Sequence, residues 1–430
     1  MATDAFTLAP VVHTLSNGLR LLVTPMPYAR SASASIYVAA GSRYEATAAE
    51  GGLSHFLEHL LFKGTERRPK PLDISMEIDR IGGNINAATN RELTVYYAKV
   101  TPEYLGGAVD ILGDMIRNSV LPDHEIERER DVILEELAAV EDSPPEQVGV
   151  ILDETLWPGQ PHGRDIAGTD ESVEGLSAAA IREYYQRQYV PNATVVSIAG
   201  AVDPAEVREM VGVAFEDWRP GDPLPMVPNL RSAGHPLVTV HDKDTEQVHL
   251  SFGLHGVASD DDDRYALDLL SVILGEGMSS RLFARLREEL ALCYDIHSYI
   301  ATLRDCGMFG VYAGVDPERA IEAAREIAKE LARACAPVGA DELSRAKAVT
   351  RSRTQLRLED SRSVSALYGS QAILGLPLKT PEQTLARSAA VTVEEVERVA
   401  IRVMRGGGLH VAAVGQVDAK ALESAVVFEP

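Results

Sequence analysis

Cysteine is scarce in this 430-residue chain: there are three, Cys293, Cys306 and Cys335, none of them in CxxC spacing. So sparse and odd a set excludes a disulfide framework and a thiolate metal site, and it fits a reducing compartment. Positive charge is also short. Lys and Arg number 41 against 64 Asp and Glu, a formal net charge of −23. Backbone binding to nucleic acid needs a cationic footprint, so no nucleic-acid partner is expected. No apolar run reaches the roughly 18 residues of a membrane helix, so no membrane partner is expected either. The stretch from Met1 to Thr14 lacks both a basic start before an apolar run and the Arg-rich pattern of an organelle presequence. A cytoplasmic location is the expectation. With no low-complexity tract, 45% hydrophobic and 24% charged residues describe an ordinary folded chain, too long for one core.

What is present is a repeat. Tyr97-Ala98-Lys99-Val100-Thr101-Pro102-Glu103 matches Tyr312-Ala313-Gly314-Val315-Asp316-Pro317-Glu318 at five of seven positions, an offset of 312 − 97 = 215. Gly200-Ala201-Val202-Asp203 and Gly415-Gln416-Val417-Asp418 share that offset, 415 − 200 = 215. A period this long makes the repeat unit a domain. Residues 1–217 and 237–430 are read as homologous domains, and the proline-rich stretch 218–236 as their linker. Within the first half, Leu19–Val23, Ser33–Ala40, Leu93–Val100 and Thr194–Ala199 read as strands. Pro102–Asn118, Asp123–Val140 and Asp203–Phe215 read as helices. The fold class is α/β (α+β), a sheet with packed helices in each half.

One helix carries chemistry. In Leu53-Ser54-His55-Phe56-Leu57-Glu58-His59-Leu60, residues four apart share a face, so His55 and His59 project together with Glu58 beside them. This H-x-x-E-H order reverses the zincin arrangement; two histidines would bind zinc and the glutamate would act as general base. The alternative is a helix with two satisfied core histidines and a surface glutamate. A catalytic zinc wants a third protein ligand. On the helix from Asp123, Glu129, Val132, Ile133, Glu136 and Val140 share one stripe while Glu127 and Glu135 sit off it. Glu136 is the best third ligand, and Glu129, two turns earlier, a partner behind the ligands.

The segment Gly51-Gly52-Leu53-Ser54-His55-Phe56-Leu57-Glu58-His59-Leu60-Leu61-Phe62-Lys63-Gly64-Thr65 resembles the insulinase/pitrilysin family, which includes the mitochondrial processing peptidases. That family's motif is followed by 76 residues and a glutamate, a spacing met here by 136 − 59 = 77. The run Glu127 to Glu136 is similar to its second zinc segment. The resemblance implies a zinc endopeptidase, a short two-domain bacterial-type member forming half of a clamshell, acting on peptides. It implies further that Arg287 and Tyr294, 294 − 287 = 7 apart, serve catalysis as a carbonyl grip and an oxyanion donor. Without the family they read as a salt-bridged arginine and a core tyrosine. Asn86, Ala87, Ala88 and Thr89 are implied to form an edge strand that receives substrate as an added strand; the plain reading is a hairpin arm. A homodimer is the expected assembly, with a catalytic subunit of a heterodimeric processing peptidase as the rival. A non-catalytic scaffold is the rival from another class.

Overall fold

The computed structural model describes residues 8–230 and 237–430. They gather into two compact units. The first takes the chain up to Leu137, then Asp165–Val227 and Thr354–Gln383; the second takes Ala138–Arg164, Pro228–Arg353 and Thr384–Pro430. Of the expected linker, residues 219–230 form neither helix nor strand, and 231–236 lie outside the described residues. The early part of that stretch is pinned: Leu224 N–H donates to Gln188 Oε1 at 2.9 Å and Val227 N–H to the Arg43 carbonyl at 2.8 Å.

The first unit is built on β1 (Val11–Thr14), β2 (Arg20–Pro25), β3 (Ala32–Val38), β4 (Asn84–Thr89), β5 (Thr94–Val100) and β6 (Thr194–Gly200). Their order across the sheet is β1-β2-β6-β3-β5-β4. The second unit holds β7 (Val238–His241), β8 (Val248–His255), β9 (Cys293–Thr302), β10 (Gly307–Val315) and β11 (His410–Val414), in the order β7-β11-β8-β10-β9. Taking β2, β6, β3, β5 and β4 in turn against β7, β11, β8, β10 and β9, the two orders coincide. In each unit the first of these pairs is parallel and the rest are antiparallel. The duplication therefore extends from sequence to topology. Gly200, which ends β6, and Gly415, which follows β11, show why glycine recurs there: both have positive φ, 141° and 132°. A Cβ would stand 2.3 Å from the Ser31 carbonyl oxygen in one case and 2.9 Å from Thr245 Oγ1 in the other.

The central strands of each sheet are buried on both faces. In β3 the alternate residues Ala32, Ala34, Ile36 and Val38 enter a core shared with the helices of the first half. Ser33, Ser35 and Tyr37 point the other way, onto the helix Ser361–Ile373. There Ser33 Oγ lies 2.9 Å from Ser361 Oγ, and Ser365 Oγ donates to Ser35 Oγ at 2.9 Å. Gly369 of that helix lets the Tyr37 ring approach so closely that a Cβ would stand 2.1 Å from it. The covering helix comes from the C-terminal half of the sequence. The second unit reverses the loan: Pro144–Leu156, from the N-terminal half, packs Val148, Leu152 and Leu156 against Ala412, Val414 and Met308.

Candidate metal centre

The helix that carries the motif runs from Leu53 to Leu60 and begins at Gly52, whose φ is 88°. Glu45, 1% exposed, supplies the missing cap from a preceding turn: its carboxylate accepts from Gly52 N–H at 3.2 Å and Ser54 N–H at 2.8 Å. A carboxylate there also favours the positive end of the helix dipole. Ser54 Oγ lies 2.9 Å from the Tyr184 hydroxyl, tying this helix to Ala178–Gln188. Phe56, Leu57 and Leu60 are fully buried, which leaves His55, Glu58 and His59 on the remaining, half-buried face.

The second helix, Asp123–Asp142, presents a narrow buried stripe of Glu125, Ile126, Glu129 and Ile133. Val132, expected on that stripe, is 40% exposed. Three residues beyond Glu129, it lies about 60° around the helix from that residue, on the flank of the stripe, where the buried face is too narrow to cover it. Glu136, one turn past Ile133, has its side chain 47% exposed at the edge of the stripe rather than drawn fully inside. The Arg130 guanidinium, 5.5 Å from the Phe56 ring centroid, packs the two helices together.

His55 Nε2 lies 3.8 Å from Glu136 Oε2, and His59 Nε2 lies 3.6 Å from the same oxygen. All three donor atoms fall within 4.8 Å of one another. Zinc bonds of about 2.1 Å in tetrahedral array place donors about 3.4 Å apart, so the set fits that ion with a small contraction. Burial, and then the neighbouring His59, push the His55 pKa down to about 4, keeping the imidazole in the neutral form a metal requires. For His59, burial lowers the pKa, but the hydrogen bond to Glu129 and the charges of Glu136, Glu58 and Glu129 outweigh it and the direction is upward. Glu129 Oε2 is 3.2 Å from His59 Nδ1. Burial raises the Glu129 pKa, yet His59 and Lys63 together bring it below the usual carboxylate range.

Glu58 is outside the donor set. Burial raises its pKa, opposed by the Thr89 hydroxyl, by His59 and by the Thr89 amide. Thr89 ends β4, which is the open edge of the first sheet and packs against the motif helix. Asn86, Ala87, Ala88 and Thr89 thus lie on an edge strand of which Thr89 meets Glu58, and the Asn86 side chain accepts from the Ala87 N–H at 2.8 Å. Arg287 and Tyr294 belong to the second unit. Tyr294 is 75% exposed, not a core tyrosine, and the Arg287 guanidinium stacks 4.8 Å from its ring and 4.8 Å from that of Phe283. Sequence reasoning missed Glu45 and Lys63. Glu45 has no periodic relation to the motif, whereas Lys63, one turn beyond His59, stands within the quoted segment.

The repeat offset maps His55, Glu58 and His59 onto 55 + 215 = 270, 58 + 215 = 273 and 59 + 215 = 274: Leu270, Ile273 and Leu274 of the helix Arg264–Gly275. All three are buried core residues. The second half has kept the helix and has apolar side chains where the first has polar donors.

Residues 20–170 match the family described as Insulinase (Peptidase family M16), and 175–350 match the Peptidase M16 inactive domain. A Streptomyces coelicolor protein named an uncharacterized zinc protease is 38% identical over 400 residues, 91% of this chain and 86% of the relative. The chain belongs to the insulinase family, peptidase family M16. A Bacillus subtilis M16 relative, also named an uncharacterized zinc protease, is 31% identical over 90% of this chain and 94% of its own length. The M16 fold is shared with the crystal structure of a protease from Helicobacter pylori, at a TM-score of 0.90 and 23% identity, covering 96% of this chain and all of that one. The M16 match over 20–170 spans His55, Glu58, His59 and Glu136. Among the described residues no helix is long and apolar enough to cross a membrane.

Proposed function

We propose that this M16 chain is a zinc-dependent endopeptidase whose metal is held by His55, His59 and Glu136 and whose general base is Glu58. The observation that carries the reading is the convergence of two imidazole nitrogens on one carboxylate oxygen, at 3.8 and 3.6 Å, with an unligated glutamate beside them. Zinc supplies Lewis acidity, polarising a peptide carbonyl. Glu58 takes a proton from the attacking water and delivers it to the departing amine, so no covalent intermediate is needed. An extended peptide docks along the edge of β4, where main-chain bonds give affinity with little demand on sequence. Asn86 has to release the Ala87 amide for that ladder to form. Arg287 and Tyr294 take the roles the family resemblance implies, a grip on a substrate carbonyl and a donor to the oxyanion. The apolar residues at 270, 273 and 274 restrict the metal chemistry to the first half, and one chain carries the full residue set, which favours a homodimer over a heterodimer.

Metal analysis and peptide hydrolysis test the reading together. Glu58→Gln is expected to keep about one zinc per chain and lose about 10²- to 10⁴-fold in rate. Glu136→Gln is expected to lose zinc, whereas Glu135→Gln, on the exposed side of its helix, keeps it. Hydrolysis surviving in Glu58→Gln would remove the base, and equal zinc in the two other variants would remove Glu136 from the site. A wild-type chain that binds zinc and cleaves no peptide would support the scaffold reading instead.

A further inference from the structure

Glu129 has both carboxylate oxygens engaged, each by a different residue of the motif helix and its closing turn. Oε2 is 3.2 Å from His59 Nδ1, and Oε1 is 2.6 Å from Lys63 Nζ. Glu129 itself is 3% exposed, and a buried carboxylate holds its place only while its oxygens are satisfied. Lys63 lies in the turn that ends the motif helix, its N–H donating to the Leu60 carbonyl at 3.0 Å. It is therefore fixed to the helix that carries His59, and reaches across to the helix that carries Glu129.

A neutral imidazole carries one ring proton, and the acceptor it meets decides which nitrogen has it. Glu129 at Nδ1 makes Nδ1 the donor and leaves the Nε2 lone pair directed at Glu136. His55 has no such arrangement, because its Nδ1 is buried without a hydrogen-bond partner among the described residues. The orientation of the pair thus rests on His59, and that of His59 on a carboxylate that must not swing away.

We propose that Lys63 is a positioning residue of the metal centre: by pinning Glu129 Oε1 it keeps Oε2 on His59 and so fixes the ring and tautomer that bind the cation. This rests on the zinc reading above. The sign of the effect separates positioning from plain electrostatics. An ammonium near a cation repels it, so deleting the charge alone would tighten zinc binding; loss of the pinned carboxylate would weaken it.

The experiment is zinc affinity of the purified full chain, measured by competition with a chromophoric chelator. Lys63→Met is expected to weaken zinc binding by about 10- to 100-fold, the range seen when a ligand's outer partner is removed, while Lys63→Arg remains within about threefold of wild type. Because Lys63 acts through Glu129, Lys63→Met in a Glu129→Gln background is expected to add nothing further. Wild-type or tighter affinity in Lys63→Met overturns the proposal, as does an equal additional loss in the Glu129→Gln background. Circular dichroism and melting of each variant identify any that fails to fold, and Lys63→Gln, expected to fall between Met and Arg, then takes the place of Met. Failure of the underlying reading looks different: His59→Ala would bind zinc as tightly as wild type.

Discussion

His410, in β11, is 4% exposed, and its ring centroid lies 5.8 Å from that of His255. Burial, then the proximity of His255, lower its pKa from the ordinary 6.5 to about 4. In the unfolded chain this imidazole takes up a proton near pH 6.5; in the folded chain it resists until about pH 4. Its contribution to stability is therefore intact above pH 6.5 and is lost progressively as the pH falls toward 4. Each pH step across that window costs about 1.4 kcal/mol at most. His410→Gln should flatten the difference in urea midpoint between pH 7 and pH 5, whatever it does to stability at pH 7. An unchanged difference would assign the acid sensitivity to other residues. At this scale the sequence shows the candidate donors and Glu129 behind them but conceals Glu45 and the engagement of Lys63 with Glu129. His55, Glu58 and His59 are visible because their spacing is the helix's own, and Glu136 because it extends a stripe. Lys63 and Glu129 meet across 66 positions of sequence, and no periodicity relates them.

The motif helix has an unusual start for so short an element. Gly52 is left-handed, and a Cβ on it would stand 2.3 Å from the Ala167 carbonyl oxygen. Gly52→Ala should destabilise the fold by about 1–3 kcal/mol from backbone strain alone, with the clash added, and should lower the melting temperature even with zinc saturating. A wild-type melting temperature would mean that the segment around Ala167 can withdraw at little cost. The strand runs were readable because β-branched and small residues between turn signals leave few alternatives, and β2, β3, β5 and β6 fall on the expected stretches within two residues. The position of β4 at the sheet edge came from family resemblance, since Asn84–Thr89 has no strong β pattern of its own. Val132 marks the limit of helical periodicity: it shows which residues share a side of the helix, but not how wide the buried stripe is.

Neither half of the duplicated sequence covers both faces of its own sheet. Residues 1–217 contain the strands of the first unit but not Ser361–Ile373, which buries Leu22, Tyr37, Leu93 and Val195. Expressed alone, residues 1–217 should aggregate or remain molten, and co-expression with the remainder of the chain should restore a soluble, zinc-binding species. Soluble, folded 1–217 with wild-type zinc affinity would show that the borrowed helix is dispensable. This exchange was not legible in the sequence. The repeat at 215 marks which segments correspond, but a helix that packs on its own half's sheet and one that packs on the other's carry the same amphipathic pattern.

The loan also sets a timetable. The first sheet has its last strand once Gly200 has been made, but the covering helix is complete only at Ile373, 373 − 200 = 173 residues later. At a synthesis rate of roughly 5–20 residues per second, that apolar face waits about 9 to 35 seconds on the ribosome. Small domains fold well inside that interval. The nascent first half therefore passes through a stage in which its strands can pair while one face of the sheet stays wet. During translation, this protein is most exposed to misassembly while the ribosome is between Gly200 and Ile373.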